Sequence, residues 1–295
     1  MTRKIADIAP TIDYESVTSP ALLMPPPVSA LPATVSHRGV IYAAVPGWRP
    51  LRLDLHLPTS GGPWPVVLYI HGGSLVGGVR EMGPWTTLPS RGIAVASASY
   101  RLAAEVSFPE PVEDVRAAVR WLRRHARGWN LDPERLSLWG SSAGALLAGI
   151  AGVSGDRTLG RTIGDGAEST VVRSVIAHYG VADARALTTD ADPGGARAAA
   201  DLSAIVDLYT ANSNVAPAVA PHITDGVRPD YLLVHGNADC RVGHAQSVDL
   251  HAALLNAGFN STLRIVEGAD HGAAEFADDT RTEWALTFLR ESWKE

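Results

Sequence analysis

The chain has 295 residues, of which 46% are hydrophobic and 19% are charged. Lysine and arginine number 25 against 31 aspartates and glutamates, and the resulting net charge of −6 argues against a nucleic-acid or anionic-membrane partner. The single cysteine, Cys240, excludes an internal disulfide and a cysteine-based zinc site. No stretch contains the ~20 apolar residues that span a bilayer. The first residues lack the apolar core of a signal peptide, so we expect a cytoplasmic protein.

The N-terminal segment is irregular. Residues 1–38 contain six prolines, which disfavour helices and central strands. We therefore predict a proline-rich N-terminal arm over residues 1–38 and one domain over residues 39–295. The sequence does not decide whether the arm folds over the active site.

A β-hairpin is predicted where regular patterning begins. Residues 40–45 are rich in β-forming side chains, and a proline- and glycine-containing loop separates them from residues 51–57. In the second segment leucines alternate with polar residues, which is typical of a half-buried strand. The two segments are expected to pair in antiparallel orientation.

The remainder of the chain predicts an α/β fold. Short apolar runs indicate strands buried on both faces of a parallel sheet, at residues 66–70, 93–99, 136–139, 174–177, 231–235 and 263–266. Helical patterns alternate with them, at residues 110–127, 142–151, 246–257 and 278–293. This alternation predicts an eight-stranded, mostly parallel sheet with helices on both faces. Residues 180–230 exceed a usual crossover, so we predict a small cap insertion there, with a helix within residues 197–209.

The strongest local motif is Gly140-Ser141-Ser142-Ala143-Gly144, which follows an apolar strand and precedes a helix. This context is that of a nucleophile elbow. The turn is so tight that the neighbours of the nucleophile must be small. It places a hydroxyl at the helix N-terminus, where the helix dipole favours negative charge. Ser142 is therefore the predicted nucleophile.

Two further residues complete a predicted catalytic triad. A serine hydroxyl needs a base to take its proton, and in this arrangement the chain order is serine, acid, histidine. Asp239 follows the next-to-last predicted strand, and His271 follows the last. Asp270 adjoins His271 but lies in the wrong loop to be the acid. We predict Ser142, Asp239 and His271 as the catalytic residues.

A glycine-containing turn, His71-Gly72-Gly73-Ser74, follows the third predicted strand. Backbone N–H groups there can stabilise the oxyanion that forms during ester hydrolysis. The predicted oxyanion hole comprises the N–H groups of Gly73, Ser74 and Ala143, with Gly72 shaping the turn. We expect His71 to brace this loop.

Other chemistries find no support in the sequence. Neither a phosphate-binding loop nor a dinucleotide-binding glycine motif is present at the expected position. His244 and His251 lack carboxylate neighbours at metal-ligand spacing. We predict no cofactor and no bound metal.

Together these motifs resemble those of α/β-hydrolase carboxylesterases, in the hormone-sensitive-lipase-like and BD-FAE-like groups. The matching segments are His71-Gly72-Gly73, Ser99-Tyr100-Arg101-Leu102, Phe108-Pro109, Glu113-Asp114, residues 140–144, His235-Gly236 with Asp239, and residues 268–272. Three departures from the hormone-sensitive-lipase-like pattern favour the BD-FAE-like branch. Ser74 replaces a third glycine, Ser141 replaces an aspartate, and Ala104 replaces a proline.

The resemblance implies an α/β-hydrolase fold and hydrolysis of small to medium carboxylic esters through an acyl-enzyme intermediate. A small-molecule ester is the expected partner, and homodimerisation stays open. Three alternatives remain. The first is an amide or arylformamide hydrolase like kynurenine formamidase, although Leu75 replaces the tryptophan of that family. The second is acyl transfer on a specialised metabolite with the same triad. The third, a non-catalytic binding protein, is disfavoured because all three triad positions are filled.

Overall fold

The computed structural model describes residues 31–187, 204–207, 210, 213–226 and 228–294. Most of the predicted N-terminal arm, residues 1–30, lies outside the described residues. Of the helix predicted within residues 197–209, residues 204–207 are described, and they are helical. No helix in the described part of the chain is both long and apolar enough to cross a membrane.

Within the described residues, eight strands form one sheet, which confirms the predicted architecture. They are β1 (Thr34–Ala43), β2 (Leu51–Pro58), β3 (Trp64–Ile70), β4 (Ala94–Ala98), β5 (Leu131–Ser141), β6 (Ser174–His178), β7 (Asp230–Gly236) and β8 (Ser261–Val266). The spatial order is β1-β2-β4-β3-β5-β6-β7-β8. β1 and β2 form the predicted antiparallel hairpin, although β1 begins six residues earlier than expected and within the segment assigned to the arm. β2 pairs antiparallel with β4, and all other neighbours are parallel.

Helices cover both faces of this sheet. They are α1 (Glu110–His125), α2 (Ala143–Ser154), α3 (Ala245–Asn256) and α4 (Asp279–Ser292). Leu122 of α1, Leu147 of α2 and Leu254 of α3 belong to one buried apolar cluster. Leu286 and Leu289 of α4 belong to a second cluster, which contains the residues facing the other side of the sheet. The sheet is therefore the middle layer of an α/β-hydrolase fold.

Strand β2 is buried on both faces, so the prediction of a half-buried strand is wrong. Asp54 and His56, which alternate with the buried leucines, are only 1% and 2% exposed. The loop before β4 covers them: Arg80 forms an ion pair with Asp54 at 2.8 Å, and the Trp85 ring lies 4.5 Å from that of His56. The polar residues of this strand can therefore be buried, because each has a partner in the covering loop.

Strand β8 shows the opposite departure. The sequence predicts a strand buried on both faces, but Arg264 and Ile265 are exposed, the latter at 39%. β8 is the last strand of the sheet and has β7 as its one neighbour. An edge position leaves part of an apolar strand open to solvent.

The described part of the predicted cap insertion is anchored on two helices. The side-chain oxygen of Gln246, in α3, accepts backbone N–H bonds from Ala182 and Asp183, both at 2.8 Å. Val219 is fully buried, and a Cβ added at Gly149 in α2 would lie 2.8 Å from its side chain. These contacts hold the segment against α2 and α3.

Candidate active site

Ser142 lies in the tight turn between β5 and α2. Its φ and ψ are 53° and −119°, a conformation that costs a residue with a side chain of order 1–3 kcal/mol. The flanking glycines make the turn sterically feasible. A Cβ at Gly140 would lie 2.3 Å from the carbonyl oxygen of Gly144, and one at Gly144 would lie 2.2 Å from that of Ile70. The motif therefore needs glycine at both ends because backbone fills the space of a side chain.

The structure brings the three predicted triad residues together from three loops. His271 Nε2 lies 2.9 Å from Ser142 Oγ, and His271 Nδ1 lies 2.7 Å from Asp239 Oδ2. These loops follow β5, β7 and β8, whose carboxyl ends meet at one edge of the sheet. The arrangement can pass a proton from the hydroxyl to the imidazole, while the carboxylate faces the other ring nitrogen.

Asp239 is buried and accepts hydrogen bonds at both carboxylate oxygens. Oδ1 accepts the backbone N–H groups of Arg241 and Val242, both at 2.9 Å. Oδ2 is shared between His271 and a second histidine, His235, whose Nε2 lies 3.1 Å away. Burial raises the pKa of Asp239, but the hydrogen bonds from His235 and His271 outweigh it and hold the pKa well below its ordinary value. The carboxylate therefore stays ionised throughout the physiological range.

The predicted oxyanion-hole turn lies beside Ser142, the predicted nucleophile. A Cβ at Gly72 would lie 3.2 Å from Cβ of Ser142. Gly73 and Ser74 follow with φ angles of 117° and 54°. Among the described residues, no group accepts a hydrogen bond from the backbone N–H of Gly73, Ser74 or Ala143. Unpaired donors next to a nucleophile can bind the oxygen of a tetrahedral intermediate.

His71 contacts this turn through a hydrogen bond to Gly72. It is buried, stacks on Tyr100 with ring centroids 4.4 Å apart, and donates Nδ1–H to the carbonyl oxygen of Gly72 at 2.8 Å. Burial lowers its pKa to about 4, so the ring is neutral near pH 7. These contacts agree with a bracing role.

A small apolar cavity adjoins Ser142. Its volume is about 20 Å³, close to the space of a single water-sized group. It is lined by Ser74, Leu75, Ser142, Ala143, Leu146, Val181, Ala184, Leu187, Val206 and Val242. The walls are therefore mostly aliphatic and come from the turn after β3, from Ser142 and α2, from the segment between β6 and β7, and from the loop after β7.

The chain matches a known protein family. The family model BD-FAE matches residues 53–254, more than half of the chain. The chain belongs to the BD-FAE family. The matched residues include most of β2, all of β3 to β7, Ser142 and Asp239, whereas His271 lies beyond the end of the match.

Two relatives of this BD-FAE chain are esterases by name. Esterase LipC of Mycobacterium tuberculosis is 29% identical over 84% of this chain and 62% of LipC. Ethyl acetate hydrolase of Pseudomonas putida is 26% identical over 70% of this chain and 64% of that relative. The BD-FAE chain thus spans less than two thirds of the length of these relatives. Among solved structures, Thermogutta terrifontis esterase 2 phosphonylated by sarin has a TM-score of 0.74 at 24% identity, over 91% and 97% of the two chains. That similarity agrees with the fold described above.

Two residues beside the triad of this BD-FAE chain had no predicted role. His235 contacts Asp239, as described, and its only signal was the His-Gly pair at the end of β7. Tyr179 directly follows β6, and its ring packs edge-on against that of His271, with centroids 4.8 Å apart. Its position after a parallel strand, at the same edge as the other site residues, is a signal that could have identified it.

Proposed function

We propose that the chain is a serine carboxylesterase with Ser142 as nucleophile, His271 as general base and acid, and Asp239 as the residue that orients His271. The observation that carries this proposal is the continuous contact from Ser142 Oγ through His271 to Asp239, at 2.9 and 2.7 Å. Membership of the BD-FAE family and the names of the esterase relatives support it.

In the first half of the proposed reaction, Ser142 Oγ forms a bond to the acyl carbon of the ester while its proton moves to His271 Nε2. The carbonyl oxygen becomes an oxyanion, which accepts hydrogen bonds from the N–H groups of Gly73, Ser74 and Ala143. The bond between the acyl carbon and the alcohol oxygen then breaks. His271 gives its proton to the departing alcohol, and the acyl group remains on Ser142.

In the second half, water replaces the alcohol. The water oxygen forms a bond to the acyl carbon while His271 takes a proton from that water molecule. The bond to Ser142 Oγ breaks, and the serine recovers its proton from His271. The ionised Asp239 stabilises the imidazolium in both halves, because its low pKa keeps it a carboxylate next to a protonated ring.

We infer from the cavity beside Ser142 that the preferred acyl group is short. A space of about 20 Å³ with aliphatic walls fits the methyl group of an acetyl ester. We therefore expect turnover of acetate esters to exceed that of laurate esters.

A p-nitrophenyl ester series from acetate to laurate tests the proposal. Wild type, Ser142→Ala and Ser141→Ala are compared at equal concentration. Ser141 is the matched control, because its Oγ accepts a hydrogen bond from Tyr69 at 3.0 Å. We expect Ser142→Ala to lose at least about 10³-fold in kcat and Ser141→Ala to keep most of its activity. A Ser142→Ala enzyme as active as wild type would exclude Ser142 as the nucleophile.

The same assay separates the alternative reactions. A matched ester and anilide, and an aryl formamide, measure the preference between ester and amide bonds. Methanol added in competition with water reveals acyl transfer through formation of the methyl ester. A dominant rate on the formamide, or a dominant methyl ester product, would replace simple ester hydrolysis as the main activity.

Location and assembly are separate proposals. A cytoplasmic location is supported by Cys240 being the single cysteine, because cytoplasmic proteins rarely depend on disulfides. Cell fractionation tests it. Gel filtration with light scattering tests for a homodimer.

A further inference from the structure

A second imidazole contacts the carboxylate of the proposed triad. His235 Nε2 lies 3.1 Å from Asp239 Oδ2 and 2.8 Å from the carbonyl oxygen of Val242. The side chains of His235 and Asp239 are both 0% exposed. A carboxylate and a carbonyl oxygen can only accept, so Nε2 of His235 must carry a hydrogen and donate it. The triad carboxylate therefore receives two imidazole N–H groups at one oxygen.

The other side of the His235 ring is also held. Its Nδ1 lies 2.7 Å from Ser247 Oγ, in the first turn of α3. The ring thus connects α3 to the loop that carries Asp239. With two backbone N–H groups on Oδ1 and two ring N–H groups on Oδ2, Asp239 cannot rotate without breaking several hydrogen bonds.

We propose that His235 is a positioning residue for the triad acid, a role that rests on the proposed function. By donating to Oδ2, it holds Asp239 in the orientation that His271 Nδ1 requires. It also shares the charge of that oxygen, which limits how strongly Asp239 favours the protonated form of His271. Loss of the donor is therefore expected to lower kcat and to raise the pKa of the acidic limb of the kcat/KM profile.

Besides Asp239, several other groups lie beside His271 or its loop, and substitution of His235 should leave their contacts unchanged. Asp270 precedes it and accepts its backbone N–H at 2.7 Å. Cys240 contacts Asp270 from the loop after β7, and the ring of Tyr179 packs against that of His271 after β6. In the described part of the chain, the hydrogen bonds of His235 go to Ser247, Asp239 and Val242 and to none of these three residues, so a change at His235 reaches His271 through Asp239.

Two amide substitutions of different reach test the proposal. In His235→Gln the side-chain NH₂ can occupy the position of Nε2, whereas the shorter side chain of His235→Asn cannot reach Asp239. We expect His235→Asn to lose about tenfold in kcat with KM within about twofold, because a hydrogen bond to a charged group is missing. Its acidic limb should move up by about half a pH unit. His235→Gln should lie within about threefold of wild type.

Ser247→Ala is the matched control. It removes the hydrogen bond at Nδ1 and leaves the donation to Asp239, so its acidic limb should coincide with that of wild type. Equal losses in His235→Gln and His235→Asn, with an unmoved acidic limb in both, would show that His235 only packs the loop and would overturn the proposal.

A measurement on the wild-type protein covers the case in which the Asn variant does not fold. ¹⁵N NMR of the histidine side chains reports which ring nitrogen carries hydrogen. We expect Nε2 of His235 to remain protonated across the pH range of the kcat/KM profile, and an unprotonated Nε2 would overturn the proposal. This result does not depend on turnover. If Ser142→Ala kept full esterase activity, the proposed nucleophile would be wrong while the His235–Asp239 contact would still be tested.

Discussion

Replacing Asp239 by asparagine should change the protonation of His271 while leaving its position nearly intact. The carboxylate accepts two backbone N–H groups at Oδ1 and two ring N–H groups at Oδ2. Asparagine has one accepting oxygen. The backbone donors of Arg241 and Val242 are fixed by the loop, so we expect the amide oxygen to face them. The amide NH₂ then faces the imidazoles.

This arrangement reverses the roles of the His271 nitrogens. Its Nδ1 must accept from the amide, so the hydrogen moves to Nε2, which faces Ser142 Oγ and can no longer take its proton. We expect kcat to fall by about 10⁴, the scale typical of a wrong histidine tautomer in a serine hydrolase. At 1.36 kcal/mol for each factor of ten, the barrier rises by about 5.5 kcal/mol. The rate of p-nitrophenyl acetate hydrolysis, with active-site titration to count folded enzyme, measures it.

Asp270→Asn is the matched control for this substitution. Asp270 accepts the backbone N–H groups of Cys240 and His271 at the same oxygen, at 3.0 and 2.7 Å. An asparagine oxygen can keep both bonds, so we expect activity within about threefold of wild type. The reasoning would be refuted if Asp239→Asn retained more than a tenth of the wild-type kcat, or if the two variants lost activity equally.

Two predictions concern stability. Gly144→Ala should destabilise the protein by about 3 kcal/mol or more in urea unfolding, because its Cβ would lie 2.2 Å from the carbonyl oxygen of Ile70. Gly128→Ala, where nothing lies within 4 Å, should stay within about 0.5 kcal/mol of wild type, and equal stability of the two variants would contradict the steric argument. Burial lowers the pKa of His178 to about 3, so the unfolded chain binds a proton that the folded chain excludes, and stability is lost as pH falls below about 6.5. The ring nitrogens of His178 have no hydrogen-bond partner among the described residues, so phenylalanine can replace the ring. We expect His178→Phe to reduce the loss of unfolding free energy between about pH 7.5 and pH 5 by about 2 kcal/mol. An unchanged loss would show that His178 does not titrate in this way.

Local patterns in the sequence were sufficient to predict the elements and the order of the site residues. A GxSxG motif between an apolar strand and a helix admits few conformations, because its glycines are required by backbone packing at Gly140 and Gly144. Once a parallel sheet is predicted, loops after successive strands must share one edge, which placed Asp239 and His271 near Ser142.

Properties that depend on partners distant in the chain were not predicted. The alternation in β2 reads as one exposed face, but Arg80 and Trp85 bury it from a separate loop. The apolar run of β8 reads as buried, yet its place at the end of the sheet leaves Ile265 exposed. A covering loop decides the burial of β2, and the edge position decides the exposure of β8; neither is encoded within the residues of the strand itself.

The sequence by itself therefore determined the α/β architecture, the tight turn at Ser142 and the placement of Asp239 and His271 after the last two strands, since each depends on a local pattern of strand, turn or helix. The tertiary structure alone decided that two histidines share Asp239. Their separation of 36 positions carries no local pattern, and the contact exists because β7, β8 and α3 converge at one edge of the sheet.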